Sequence, residues 1–319
     1  MAKLACVFPG QGSQSVGMGL DLFNNFAEAK DTYGQIDKVA GRALSTLCFE
    51  GPEAELKRTI NTQPTILATS LAAWACYEKL GGPKPDFVAG HSLGEITALV
   101  VAQVLSLEDA VKLVDKRSAL MENCPKGAMT AVLGMAPDAL ESLCREASTA
   151  DSNGGGEVVV VANFNTKDQL VISGNPEAVA RAGVLVKERS GKAIPLPVGG
   201  AFHSPLMSGA AQEFSQALEN SKFDDATCGV VQNFDAQVST HASELKAKLA
   251  KQMESPVRWT ATIEFLVSQG VDTIIEIGPG KVLAGLVKKI DRSVKVLNVS
   301  DSESLKATIA ALQAVAQAV

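Results

Sequence analysis

The chain reads as an α/β protein: a mainly parallel sheet flanked by helices, with a ferredoxin-like subdomain inserted into it. Three observations lead there. Short apolar runs at 1–8, 87–89, 271–277 and 294–299 alternate with helix-length segments, the pattern of strands joined by crossover helices. The stretch 127–198 reads strand, helix, strand, strand, helix, strand, which is the ferredoxin-like order. A length of 319 residues with 46% hydrophobic content supplies core for one large and one small unit. The expected division is 1–126 with 199–319 as the large α/β domain, and 127–198 as the insert.

Composition excludes several classes of partner. The net charge of −6 and the lack of a basic stripe argue against a phosphate-backbone ligand, so no nucleic-acid partner is expected. No apolar run approaches the ~18 residues that span a bilayer, so no membrane partner is expected. Met1–Phe8 reads as a strand rather than a signal peptide. The six cysteines (6, 48, 76, 124, 144, 228) form no C-x-x-C pair and indicate neither a zinc site nor a disulfide framework. Buried, reduced thiols fit a cytoplasmic setting; a plastid or mitochondrial one would require a transit peptide already removed.

Taken in order, the first strand ends in Pro9-Gly10-Gln11-Gly12-Ser13-Gln14. Loops at carboxyl ends of strands carry the site in such sheets, so Gln11 either points a backbone N–H at reacting atoms or merely connects two elements. The spacing is not a dinucleotide fingerprint. Residues 52–80 read as helical, broken by Gly81-Gly82-Pro83. Phe87-Val88-Ala89 then leads into Gly90-His91-Ser92-Leu93-Gly94 and an apolar helix-length run to Val104. Strand, G-x-S-x-G and helix in that order make a nucleophile elbow, a strained turn that exposes one hydroxyl, that of Ser92. The competing reading is a glycine-rich turn with a helix-capping serine.

In the helix at 107–122, Ala110, Leu113, Val114, Leu120 and Met121 share one face, with Arg117 near its centre. A guanidinium there is either tied to an internal carboxylate or edge water, or offered to a ligand carboxylate. Within the insert, strands are expected at 128–135, 157–163, 169–173 and 192–198, helices at 138–147 and 176–189, and a loop over 151–156. Gly199-Gly200-Ala201-Phe202-His203 marks the return to the larger domain. Of three histidines, His91 adjoins Ser92 on a turn whose side chains diverge, and His241 sits at an exposed helix start. His203 is the remaining candidate base. Gly278-Pro279-Gly280-Lys281 lacks the features of a phosphate loop. A last strand at 294–299 and an Ala-rich helix at 303–319 close the chain.

Five motifs together resemble the malonyl-CoA:acyl-carrier-protein transacylase family, nearly end to end. They are Phe8–Gln14, Gly90–Glu95, Arg117 with Met121, and Gly200–Met207. The fifth combines Gln252-Met253 and Ser255–Trp259 with Glu276–Gly280. The resemblance implies a hydrolase-like catalytic core with a ferredoxin-like insert, in agreement with the pattern above. It implies Ser92 as acyl-accepting nucleophile, His203 as base, and the N–H groups of Gln11 and Leu93 as oxyanion hole. Arg117 would clamp the malonyl carboxylate, and the Gln252 carbonyl would orient the imidazole. Phe202 would mark the malonyl-selecting form of its loop. No permanently bound cofactor is implied, and no metal. The partners would be malonyl-CoA and the phosphopantetheine of acyl carrier protein, with the enzyme a monomer. Lys187, Arg189 and Lys192 are the basic residues expected nearest an acidic carrier. Rival readings are a serine hydrolase or thioesterase with Asp109 or Asp168 as triad acid, a polyketide loader, and a silent carrier-docking module.

Overall fold

The computed structural model describes residues 3–149 and 156–317. Its strands are Lys3–Phe8 (β1), Phe87–Gly90 (β2), Ala128–Leu133 (β3), Val159–Thr166 (β4), Gln169–Gly174 (β5), Lys192–Pro195 (β6), Gly229–Val231 (β7), Val238–Ser239 (β8), Val271–Ile277 (β9) and Lys295–Val299 (β10). After its first residue β1 is wholly buried, as a strand covered on both faces by helices must be. It lies inside a six-stranded sheet of order β10-β9-β1-β2-β7-β8, parallel except for β8 against β7. The register pairs Phe8 with Gly90, so the loop after β1 and the turn after β2 emerge side by side at one sheet end.

Strands β3 to β6 form a separate antiparallel sheet of order β4-β5-β3-β6, the ferredoxin-like arrangement. Helices Pro137–Ala147 and Pro176–Glu188 pack on it around Leu140, Leu143, Leu170, Ile172, Val179 and Val186. Both helices begin with proline, whose fixed φ and missing N–H suit a first turn. The loop expected over 151–156 lies, Gly156 apart, outside the described residues. β6 stops at Pro195 because Val198 N–H turns back to the Leu196 carbonyl at 2.9 Å. Arg189 is paired with Glu146 at 2.6 Å rather than free.

Two seams join the sheets. At the crossings, Gly127 N–H donates to the Gly199 carbonyl at 3.0 Å. Farther along, the free edge of β4 takes up the segment at Val257: Val257 N–H donates to the Ala162 carbonyl at 2.8 Å, and Phe164 N–H to the Val257 carbonyl at 2.9 Å. The helical stretch 52–80 is two helices, Glu53–Leu56 and Thr59–Lys79. Pro64 inside the second leaves the Ile60 carbonyl without its helical donor, and Arg42 Nη2 fills that place at 3.1 Å. No helix among the described residues is long and apolar enough to cross a membrane.

The turn after β2 depends on close approach. A Cβ on Gly90 would collide with the Gly94 backbone, and one on Gly94 with the Phe8 carbonyl. Gly94→Ala should therefore lower the melting temperature by roughly 5–10 °C through overpacking against β1, read by thermal circular dichroism. An unchanged melt would mean that the elbow has slack the structure does not show.

Candidate active site

Ser92 has φ 52°, a left-handed conformation that costs a non-glycine residue about 1–3 kcal/mol. The helix Gly94–Val101 starts immediately after it, and no side chain caps that helix. The Ser92 hydroxyl is engaged elsewhere: Oγ lies 2.7 Å from His203 Nε2. His203 comes from 111 residues away, in the turn where the chain returns to the larger sheet, itself at φ 58°. Its Nδ1 is 3.0 Å from the Gln252 carbonyl and 3.1 Å from that of Ser255. Carbonyls only accept, so Nδ1 carries the proton and Nε2 is left as acceptor for the serine hydroxyl.

Arg117 completes the cluster and is fully buried. One Nη1 proton goes to Gln63 Oε1 at 2.6 Å, while Nη2 donates to Gln252 Oε1 at 2.8 Å and to Ser92 Oγ at 3.1 Å. Its Nε has no partner among the described residues. Gln252 is the hub: its side-chain Nε2 donates to the Ser92 carbonyl at 2.9 Å, and its own carbonyl holds the imidazole. The guanidinium is held by neutral amides. Among the described residues no carboxylate bonds it, so a cation with an unused donor faces the serine.

The electrostatics follow from burial. Desolvation, and then the Arg117 charge, push the His203 imidazole down to about 3, so it is neutral throughout the physiological range. Desolvation brings Arg117 down to about 10, which still leaves it charged at neutral pH. Burial also depresses His91. Its Nε2 is 2.8 Å from Asn165 Oδ1, directed away from Ser92 as neighbouring side chains on a tight turn must be.

The backbone N–H groups of Gln11 and Leu93 have no acceptor among the described residues. Gln11, Ser92, Phe202 and His203 line one cavity of about 250 Å³, walled on the insert side by Met129 and Leu196. Phe202 is nearly buried, and a Cβ on Gly200 would strike its ring and Cys124 Sγ. All seven residues singled out in the sequence thus lie at or beside one cleft. Asp109 accepts from Ser106 at a helix N-terminus and Asp168 from Thr166, so neither reaches His203. His241 is exposed. Sequence reasoning passed over Gln63, Glu95, Asn165 and Asn233. The only signals for them were polar residues set in apolar runs, such as Glu95 ahead of Ile96–Val101.

Residues 5–313 match the acyl transferase domain family, so the class is that of acyl transferases. The malonyl CoA-acyl carrier protein transacylase of Bacillus subtilis is 44% identical over 98% of both chains. An acyl carrier protein S-malonyltransferase from Vibrio cholerae superposes with a TM-score of 0.92 at 42% identity, covering 96% of this chain and 100% of that one. A malonyl-transacylase solved in complex with its type II PKS acyl-carrier protein gives 0.92 at 38% identity, covering 97% and 99%. The chain belongs to the malonyl-CoA:acyl-carrier-protein transacylase family.

The depressed imidazole has a measurable consequence. A base whose folded pKa lies below its unfolded value is available above the folded pKa and lost as pH falls through it. Modification of Ser92 by a fluorophosphonate should stay level from pH 8 to below 5 and fall only towards 3. Arg117→Met removes one cause of the depression, so its acid limb should move to higher pH. Superimposable profiles would show that the imidazole does not feel the guanidinium.

Proposed function

We propose that the enzyme moves malonyl from malonyl-CoA to the phosphopantetheine thiol of acyl carrier protein in fatty-acid synthesis, through a malonyl ester on Ser92. The observation that carries this reading is the Ser92 oxygen, 2.7 Å from a neutral imidazole and 3.1 Å from a guanidinium bonded to no carboxylate among the described residues. His203 Nε2 takes the hydroxyl proton as Oγ attacks the thioester carbon. The C=O electrons move onto oxygen, where the N–H groups of Gln11 and Leu93 receive them; such donors are worth about 3–4 kcal/mol each in comparable sites. The carbon–sulfur bond breaks and the CoA sulfur leaves with the proton from the imidazolium. The carrier thiol then gives its proton to His203 and attacks the ester, and Ser92 recovers its hydrogen.

A thiolate is a weakly basic, good leaving group, so the base needs less electrostatic help than one that must expel an amine. Two carbonyl dipoles on Nδ1 serve to orient and stabilise it where hydrolase triads use a carboxylate. Arg117 selects the acyl group: a free carboxylate pairs with the fork, whereas an acetyl methyl leaves a buried cation unmatched. Phe202 bounds the acyl end of the cleft. The division into a large catalytic domain (1–126, 199–319) and an insert (127–198) makes the cleft a boundary between two bodies. The reading includes no resident cofactor, a monomeric enzyme and a cytoplasmic location.

Intact mass spectrometry after mixing with malonyl-CoA alone should show a lasting malonyl adduct that is absent in Ser92→Ala. A chase with holo-carrier should remove it. Steady release of malonate in place of the adduct would favour a hydrolase. Chasing with fatty-acid and type II polyketide carriers in parallel ranks the two destinations. Arg117→Ala should lower malonyl transfer by about 100-fold or more while sparing acetyl transfer, measured in competition. Retained malonyl preference would remove the clamp.

A further inference from the structure

Ser92 holds a strained backbone conformation, bracketed in its own turn by Gly94 N–H to the His91 carbonyl at 3.0 Å and Glu95 N–H to the Ser92 carbonyl at 3.2 Å. Its N–H is not used within the turn or the following helix. It donates to Asn233 Oδ1 at 2.7 Å, across 141 residues of chain. The same amide donates from Nδ2 to the Gly90 carbonyl at 2.6 Å. One planar side chain thus bridges the entry and the apex of the elbow. Asn233 is buried and follows β7, the strand next to β2, so its position comes from the sheet rather than from the loop it grips. Asn233 is gripped in turn: its backbone N–H donates to Glu95 Oε2 at 2.7 Å, and Gln232 Nε2 reaches Glu95 Oε1 at 3.2 Å. Glu95 is fully buried three residues beyond the serine, on the helix the elbow launches. The loop is closed: Ser92 to Asn233, Asn233 to Glu95, and Glu95 through one helical turn back to Ser92.

We propose that Asn233, anchored by Glu95, is the positioning residue of the nucleophile, holding Ser92 left-handed so that Oγ stays on His203 and the Leu93 N–H stays free. The inference rests on the reading of Ser92 as acyl acceptor. Three features distinguish it from ordinary core satisfaction. The amide contacts backbone groups of the elbow on both of its polar atoms. It consumes the Ser92 N–H, which leaves Leu93 as the donor of the turn without an acceptor. Asn233 itself reaches Ser92 without bonding Arg117 or His203 and without lining the cavity, whereas Glu95 behind it also acts on Arg117 through space. Loss of the Asn233 side chain should therefore act on the rate of serine attack and leave substrate affinity alone.

The test uses fluorophosphonate labelling of Ser92 in the full chain, followed by intact mass, which needs neither acyl donor nor carrier. Asn233→Ala should label roughly 30- to 100-fold more slowly, the scale expected for a nucleophile displaced by about an ångström. Asn233→Asp keeps an oxygen to accept the Ser92 N–H and should recover most of that loss. Malonyl-CoA should bind Ser92→Ala and Ser92→Ala/Asn233→Ala equally tightly. Labelling of Asn233→Ala within threefold of the native chain would overturn the proposal. So would an aspartate variant as slow as the alanine one, or a parallel loss of malonyl-CoA affinity. If the alanine variant does not fold, the aspartate variant carries the test, and unfolding of both would make the role fold-wide and overturn the proposal. A chain that labels normally yet accepts no malonyl would refute the proposed function and leave this inference standing.

Discussion

A guanidinium that no carboxylate touches among the described residues sits at the centre of this molecule, with the buried Glu95 acting on it only through space. Arg117 is sealed inside and gripped by two glutamine oxygens, with one donor unspent. Burying a cation among neutral dipoles is expensive, and a carboxylate in Gln63's place would relieve the strain. It would also quench the charge. The amides hold the side chain in place and leave its field intact, so the positive potential falls on the serine oxygen and the imidazole beside it. That field adds to the desolvation that already depresses the His203 imidazole.

Around this charge the site is made of neutral polar groups. Carbonyls hold Nδ1 of His203, an asparagine holds the elbow, and amides hold the cation. The one carboxylate close by, Glu95, faces a backbone N–H and an amide, and burial raises its pKa. Dipoles placed this way are rigid and add no net charge to compete with the substrate's own. The partly and fully buried thiols stay out of the chemistry for a related reason: desolvation pushes Cys48 up to about 12 and Cys228 to about 11, far from thiolate formation.

Much of this could be read from the chain before folding. The elbow was legible because glycine at 90 and 94 has a steric cause, and the insert because its element order is distinctive. The helix around Arg117 came out at the expected bounds, Leu107–Glu122, because its apolar stripe is regular. Pairing was less legible. The short β7 and β8 carry too few residues to show a period, and with them went Gln232 and Asn233. Gln63 was hidden in a helix among threonines such as Thr65 and Thr69, which satisfy their hydroxyls on the helix's own backbone. The break at 57–58 has no glycine or proline to announce it. The convergence of Ser92, Arg117, His203 and Gln252 is a property of strand order, and no local spacing encodes it.

The bond between the edge of β4 and Val257 couples two parts of the molecule mechanically. Ser255, whose carbonyl steers the imidazole, stands two residues before that seam, and Gln252 three residues earlier still. The two oxygens that aim the ring therefore sit on the same short segment that the edge of the small sheet holds by two backbone bonds. The small sheet thus anchors the acceptors of the imidazole as well as walling the cleft.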